Sequence, residues 1–173
     1  MFVGAITALL CAIAIPQVLA GVDRSRAVGA AHYVMQQCGL ARIQAISRSA
    51  NVAVRFRERR GEYVLQLFVD RNRNGVRTAD MDDGIDLPLG PGRSLGDDFP
   101  GVRIGVAHGL GTEPVKFGAH GLLSFSALGT ATPGSVFILG KDGTLFAIRV
   151  IGATARTRLE KYEPRTRTWT RAW

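Results

Sequence analysis

The chain opens with an apolar run that is long enough to cross a membrane as a helix. Residues 1–22 carry no charged side chain, and about 20 apolar residues suffice to span a hydrocarbon core. Pro16 should kink this helix without ending it, since proline is tolerated in membrane helices. We therefore predict a transmembrane segment at residues 1–22. The residues predicted to pack there against lipid or neighbouring helices are Ile13, Ile15, Pro16, Val18 and Leu19.

A second helical pattern follows directly. Val34, Cys38, Ala41 and Ala45 recur at helical spacing, which places them on one apolar stripe. Residues 23–49 are therefore predicted to continue the helix as an amphipathic segment that packs against a domain through this stripe. The combined helix is far longer than the mean of about 11–12 residues in globular proteins. Its first half therefore needs membrane or helical partners.

From Asn51 onward the apolar period changes to two, which is typical of strands. Residues 52–56 and 63–69 form a predicted hairpin, joined by a charged turn at 57–62. Further strands are predicted at 102–106, 122–125, 135–139 and 144–151, with a turn at 141–143. Residues 50–173 are thus predicted to form one antiparallel β-sheet domain whose sheet is covered on one face by the helix. The predicted fold class is α+β.

Basic residues are concentrated towards the two ends of the chain. Residues 23–60 hold eight arginines against Asp23 and Glu58, and residues 149–173 hold seven basic groups against Glu160 and Glu163. The middle of the chain is net acidic, although the whole chain has a net charge of +8. This asymmetry favours a polyanion or an anionic membrane surface as partner, while a solvated surface also explains any single basic run.

The segment after the second predicted strand matches the start of a calcium loop. Asp70, Asn72 and Asn74 supply oxygen atoms at alternate positions, and Gly75 follows where such a loop turns. The last position of the motif, however, is Met81 instead of a carboxylate. The alternative is a turn in which Asp and Asn side chains bond to their own backbone. The turn is the preferred interpretation, so no cofactor is predicted, and calcium at Asp70, Asn72 and Asn74 is the alternative.

The C-terminal tail combines arginines with a tryptophan. Strand alternation places Arg156 and Arg158 on one face of a strand. After Pro164, alternation predicts a second row on one face, formed by Arg165, Arg167, Trp169 and Arg171. Guanidinium groups bind phosphates and a flat ring can stack on bases, so the tail predicts nucleic-acid binding. The alternative is an edge strand whose charges prevent aggregation.

Five segments, in order along nearly the whole chain, carry a family resemblance. They read IAIPQ, GLARIQAISRSANVAVRF, LQLFVDRNRNGVRTAD, LLSFSALGTATPGSVFIL and GATARTRL. Together they resemble the FimT/GspH family of minor type IV pilins and type II secretion pseudopilins. The resemblance implies a type IV pilin-like fold and a single-pass inner-membrane protein with a periplasmic C-terminal domain. Such a protein joins other pilin or pseudopilin subunits in a filament.

The resemblance also bears on the tail and on the start of the chain. Some family members bind double-stranded DNA during uptake through a C-terminal Gly-Arg-x-Arg motif, which here reads Ala155, Arg156, Thr157 and Arg158. Family members begin with a basic leader, a glycine, a phenylalanine and a glutamate within the apolar helix. When IAIPQ is aligned, Met1 falls inside the mature helix. We therefore expect the true start to lie upstream of Met1; the alternative is a subunit that is not processed in the standard way.

No pattern in the sequence points to an enzyme. His32, His108 and His120 lie far apart, no Ser or Cys stands in a nucleophile motif, and no Gly-rich loop fits a phosphate-binding fingerprint. Three functions stay open: a structural minor pilin or pseudopilin, a DNA-binding minor pilin, and a periplasmic binding module held by a membrane anchor. The first is the preferred prediction.

Overall fold

The computed structural model describes the backbone of residues 2–118 and 120–172, and the side chains of residues 20–118 and 120–172. It confirms an α+β architecture in which one long helix is followed by antiparallel sheets. The helices are α1 (Phe2–Arg48), α2 (Thr78–Asp82) and α3 (Leu95–Asp98). The strands are β1 (Val52–Arg59), β2 (Glu62–Val69), β3 (Leu87–Pro88), β4 (Arg93–Ser94), β5 (Arg103–Ile104), β6 (Val115–Phe117), β7 (Leu122–Phe125), β8 (Gly134–Leu139), β9 (Leu145–Ile151), β10 (Arg156–Glu163) and β11 (Thr168–Arg171).

The C-terminal half of α1 is packed into the domain. Its buried positions recur at helical spacing and are small or medium-sized: Ala27, Ala30, Ala31, Val34, Cys38, Ala41 and Ala45. The predicted apolar stripe is therefore confirmed and is extended towards the N-terminus by three alanines. These small side chains allow α1 to approach the second sheet closely. A Cβ added at Gly140, which follows β8, would lie only 2.8 Å from the Cβ of Ala27.

Two antiparallel sheets form the domain, whereas the sequence predicted one. The first sheet has the order β3-β2-β1-β7, with β4 also paired to β2. The second has the order β11-β10-β9-β8-β5, with β6 also paired to β8. Strands of both sheets contact α1, and the core between them includes Val54, Phe125, Ile138 and Ile148. The single-sheet prediction was wrong because alternation within a strand does not reveal which strands pair.

The β1–β2 hairpin is tighter than predicted. Its strands continue to Arg59 and Glu62, so only Arg60 and Gly61 form the turn. Their φ angles are 53° and 81°, and two consecutive residues at positive φ are typical of the type I′ turn that matches the twist of a hairpin. The predicted turn over 57–62 was too wide, because charged residues that belong to the ends of β1 and β2 were assigned to the turn.

The tail folds back on itself as a second hairpin. β10 and β11 pair antiparallel, with Tyr162 opposite Trp169. Residues 164–167 form the turn between them, and Arg167 has a φ of 53°. The prediction of one continuous row from Arg165 onward was wrong, since Arg165 and Arg167 lie in this turn. The alternation of residues along the tail did not indicate that the chain reverses direction at this turn, because the reversal depends on the pairing of β11 with β10.

Most of the predicted transmembrane segment falls outside the described side chains. This applies to all five predicted packing residues, Ile13, Ile15, Pro16, Val18 and Leu19. Among the described residues, no helix has both the length and the apolar character that crossing a bilayer requires. The transmembrane segment therefore stays a prediction.

Candidate functional site

The outer face of the second sheet, which points away from the core, gathers cations from several strands. Alternate residues of β9 and β10 face the core, so Arg149 and Arg158 point outward and lie directly opposite each other in register. The pairing of β6 with β8 and of β11 with β10 brings further cations to the same face. We name this surface the basic face. Its cations are Lys116, Arg149, Arg156, Arg158 and Arg171.

Positive charge on the basic face is largely uncompensated. Its one carboxylate among the described strand residues is Glu160, which accepts a hydrogen bond from Arg149 Nε. The other four cations are exposed and have no carboxylate within ion-pairing distance in the described part of the chain. The surface therefore presents separated guanidinium and ammonium groups, which suit the phosphates of a polyanion.

Aromatic rings support the basic face from within. The indole of Trp169 lies 5.7 Å from the ring of Phe137 and 5.2 Å from that of Tyr162, measured between centroids. The Arg149 guanidinium lies over the same indole at 5.4 Å, and Lys116 lies over Phe137 at 5.5 Å. Phe137, Tyr162 and the Arg149 guanidinium thus pack against the indole of Trp169. Trp169 therefore positions the guanidinium above it and is not available to stack on bases.

The turn that leads into Arg156 keeps a glycine-like conformation. Ala155 has φ 49° and ψ 25°, a left-handed region that glycine adopts readily and other residues adopt at some cost. Its methyl group is only 2% exposed and belongs to the core. Arg156 and Arg158 follow this turn and share one face of β10.

The structure brings together some of the predicted tail residues and adds others. Arg156, Arg158 and Arg171 lie on the basic face, whereas Arg165 and Arg167 lie in the turn beyond it. Sequence reasoning missed Lys116 and Arg149. A signal was present for Arg149, which is the single charged residue in the apolar strand β9.

The loop with the calcium-like pattern is held together by buried carboxylates. Asp70 is 3% exposed, and its two oxygens accept hydrogen bonds from the backbone N–H groups of Arg73 at 2.7 Å and Gly75 at 2.9 Å. Asn51 Nδ2 adds a third bond at 3.0 Å. These contacts close the loop onto the start of β1, as expected for a turn built on an Asp side chain.

A second carboxylate completes the loop. Asp86 is fully buried and accepts the backbone N–H groups of Arg71 at 3.3 Å and Arg77 at 3.2 Å. Nearby, Asn72 Nδ2 donates to Asp80 at 3.2 Å. Hydrogen bonds from Asn74 and Asn72 hold the pKa of Asp80 below its ordinary value.

These contacts give the predicted calcium ligands structural roles that need no ion. Asp70, Asn72 and Asn74 all have partners within the loop. Within residues 20–118 and 120–172, no group of three or more His, Cys, Asp or Glu side chains is arranged to hold a metal ion. Calcium binding at this loop is untested and stays the alternative to the turn.

The side of α1 that faces away from the domain exposes large aliphatic side chains between uncharged polar ones such as Gln36 and Ser47. Leu40, Ile43 and Ile46 are 43%, 63% and 50% exposed, and at 3.6 residues per turn they lie opposite the buried stripe. Arg42 is the only charged residue between positions 27 and 47. We name this surface the uncharged helix face.

The chain was compared with protein-family models, with curated proteins and with solved structures. None of the three comparisons gave a match. Function is therefore inferred from the basic face and the uncharged helix face.

Proposed function

We propose that this chain is a non-enzymatic minor pilin or pseudopilin, a structural subunit of a type IV pilus or a type II secretion pseudopilus. In this proposal the first half of α1 is anchored in the bacterial inner membrane. The β-rich domain lies in the periplasm, and α1 packs against other pilin or pseudopilin subunits in the filament. The observation that carries the proposal is that α1 exposes the large aliphatic side chains Leu40, Ile43 and Ile46 on the side opposite its buried stripe.

Among the described residues, only one of these two sides is covered by other parts of the chain. The stripe from Ala27 to Ala45 is buried against the two sheets. On the uncharged helix face, Leu40, Ile43 and Ile46 remain exposed, although burial of such a side chain is worth about 1.5–3 kcal/mol. Large apolar side chains that are exposed together on one face of a helix are a feature of surfaces that contact other proteins or lipid. Neighbouring helices in a filament would supply that contact.

The N-terminal part of α1 supports the same interpretation. Residues 1–22 have no charged side chain and continue into the same helix that packs on the domain. One rigid element would therefore link the bilayer to the periplasmic domain. A subunit could then leave the membrane for the filament without refolding, because both environments enclose the helix in apolar groups.

The experiment places one charge on the uncharged helix face. Ile43→Glu should remove the chain from sheared filaments of a host that produces them, because a carboxylate cannot be buried between helices without a partner. Ile85→Glu is the matched control, since Ile85 is also exposed, at 43%, but lies in the loop after α2. A photo-crosslinker at position 43 should capture other pilin subunits, and one at position 85 should not.

Two results would contradict the filament proposal. The first is equal filament incorporation of Ile43→Glu and Ile85→Glu, with both variants keeping the wild-type melting temperature. The second is the absence of any pilin subunit from the crosslinks formed at position 43. Either result would favour the periplasmic binding module, for which α1 serves as an anchor only.

A second candidate function, binding of double-stranded DNA, is favoured by the basic face. Five cations of β6, β9, β10 and β11 share one surface, on which Glu160 is the one carboxylate among the described residues of these strands. Three of the cations, Arg156, Arg158 and Arg171, come from the tail for which the sequence predicted nucleic-acid binding. Sheet rigidity fixes their spacing, which lowers the entropic cost of contacting several phosphates.

The DNA proposal is tested by comparing two pairs of arginines. Arg156→Gln/Arg158→Gln should weaken binding of a duplex and lower the slope of log affinity against log salt by about 2, since each phosphate contact contributes about 0.9. Arg165→Gln/Arg167→Gln removes the same charge from the turn and should change the slope much less. Equal changes for the two pairs would show that the basic face is not the interface.

A further inference from the structure

An open groove runs along the outer face of the first sheet, on the side away from α1. It lies between β1 and the loop of residues 84–92 and has a volume of about 540 Å³. Val64, Gln66 and Phe68 of β2 form its floor. The loop is held close to this floor, because Gln66 Nε2 donates to the carbonyl oxygen of Gly90 at 3.0 Å.

One wall of the groove is a row of arginines. Val52, Val54 and Phe56 of β1 face the core, so the alternate residues Arg55, Arg57 and Arg59 point into the groove. Residues two apart on a strand are separated by about 6.5–7 Å. We name this feature the arginine groove.

The chain itself already places one carboxylate in the arginine groove. Asp82, at the end of α2, accepts hydrogen bonds from Arg55 Nη1 at 2.9 Å and Nη2 at 3.4 Å. Both carboxylate oxygens are therefore paired with one guanidinium, the geometry that makes Arg–carboxylate contacts specific. The contact also holds the pKa of Asp82 below its ordinary value. The contact between Arg55 and Asp82 thus shows that this row of arginines binds a carboxylate.

The other two arginines of the row can bind further carboxylates. The side chain of Arg57 is 52% exposed and reaches Asp82 only at 3.9 Å. Arg59 is exposed, and no carboxylate of the described chain lies within ion-pairing distance of it. Glu62, directly opposite Arg59 in register, instead accepts a hydrogen bond from the Ser94 hydroxyl at 3.0 Å.

We propose that the arginine groove binds an extended acidic peptide of a partner protein, with carboxylates at alternate residues paired to Arg57 and Arg59. An extended peptide repeats its side chains on one face every two residues, which matches the repeat of the arginines. The partly exposed side chain of Val64 in the floor provides an apolar surface for the aliphatic parts of the peptide. This site is separate from the basic face and from the uncharged helix face, so it stands independently of both proposed functions.

The composition of the arginine groove favours a peptide over a nucleic acid. Asp82 and the adjacent exposed Asp83 would repel a continuous row of phosphates, whereas a peptide with two or three carboxylates can be placed clear of them. Single-stranded nucleic acid also needs exposed rings for its bases. The one aromatic residue among those lining the described groove, Phe68, is only 7% exposed.

The test uses the full chain, purified in detergent, and a fluorescein-labelled peptide of alternating threonine and aspartate. Fluorescence anisotropy should show binding that weakens with salt. Arg57→Gln/Arg59→Gln should weaken binding by at least about fivefold, the effect of losing two partly exposed ion pairs. The matched control is Arg103→Gln/Lys141→Gln, which removes two exposed cations near β5 and should leave binding unchanged.

A peptide of the same composition with its aspartates adjacent, and one with asparagine in their place, test the register and the charge. Both should bind at least about fivefold more weakly than the alternating peptide. Equal binding of the three peptides, or equal effects of the two double variants, would overturn the proposal. So would tighter binding of an oligothymidylate that depends on Arg57 and Arg59, since the groove would then be a nucleic-acid site.

Discussion

The guanidinium carbon of Arg149 lies 5.4 Å from the centroid of the Trp169 indole. Arg149 also bonds to Glu160, so one side chain links β9, β10 and β11 across the outer surface of the second sheet. This relationship gives Trp169 a structural role beneath the cations of the basic face.

Trp169→Ala should therefore lower stability more than it lowers DNA affinity. We expect the free energy of unfolding to fall by about 1–3 kcal/mol, because the ring packs on Phe137 and Tyr162 but is only partly buried. Urea denaturation measures this change, and Trp169→Phe should retain most of the stability. A fully stable Trp169→Ala variant that no longer binds DNA would instead identify Trp169 as a contact residue.

The buried carboxylate of Asp86 supports a second prediction. Asp86→Asn should lower the free energy of unfolding by about 2 kcal/mol, because an amide N–H₂ replaces one of the acceptors facing the N–H groups of Arg71 and Arg77. Asp83→Asn, at an exposed position of the same segment, should change it by less than about 0.5 kcal/mol. Equal effects in thermal unfolding would show that Asp86 does not hold the loop.

Calcium should leave the melting temperature of the chain unchanged. The loop closes without an ion, because Asp70 already accepts N–H groups from Arg73 and Gly75. The measurement is thermal unfolding with chelator, with calcium and with magnesium as the control ion. A rise in melting temperature with calcium alone, lost in Asp70→Asn, would establish the site predicted from the sequence.

The left-handed conformation of Ala155 leads to a fourth prediction. Ala155→Gly should change the free energy of unfolding by less than about 1 kcal/mol, because relief of the left-handed strain offsets the loss of one buried methyl group. Ala155→Val should destabilise the chain by about 2 kcal/mol or more, since a β-branched residue is strongly disfavoured at positive φ. A Val variant as stable as the wild type in urea would contradict this conformation.

Cys38 is expected to be unreactive until the chain unfolds. It is free and fully buried on the helix stripe, and burial raises the pKa of its thiol to about 12. At pH 8 only roughly one thiol in ten thousand would be ionised, and the thiolate is the reactive form. In a Cys11→Ser variant, alkylation of Cys38 should be slow in buffer and complete in denaturant. Rapid alkylation of the folded chain would show that this part of α1 detaches from the sheets.

The sequence by itself determined the features that depend on local periodicity. A spacing of three and four residues predicted the stripe of Val34, Cys38, Ala41 and Ala45, and all four are fully buried. A period of two predicted strands that the structure confirms, including β1, β2, β7, β8 and β9. These elements could be predicted because only one side of each faces the core, so burial leaves its period in the sequence.

Only the tertiary structure decided which strands became neighbours. Pairing of β9 with β10 placed Arg149 beside Arg158, and pairing of β6 with β8 placed Lys116 in the same row across the sheet, with Ser135 between it and Arg149. The same long-range pairing turned residues 164–167 into a hairpin turn and moved Arg165 and Arg167 off the basic face. Strand alternation says which residues share a face of one strand, whereas a surface built from several strands depends on register, which is set by contacts between distant parts of the chain.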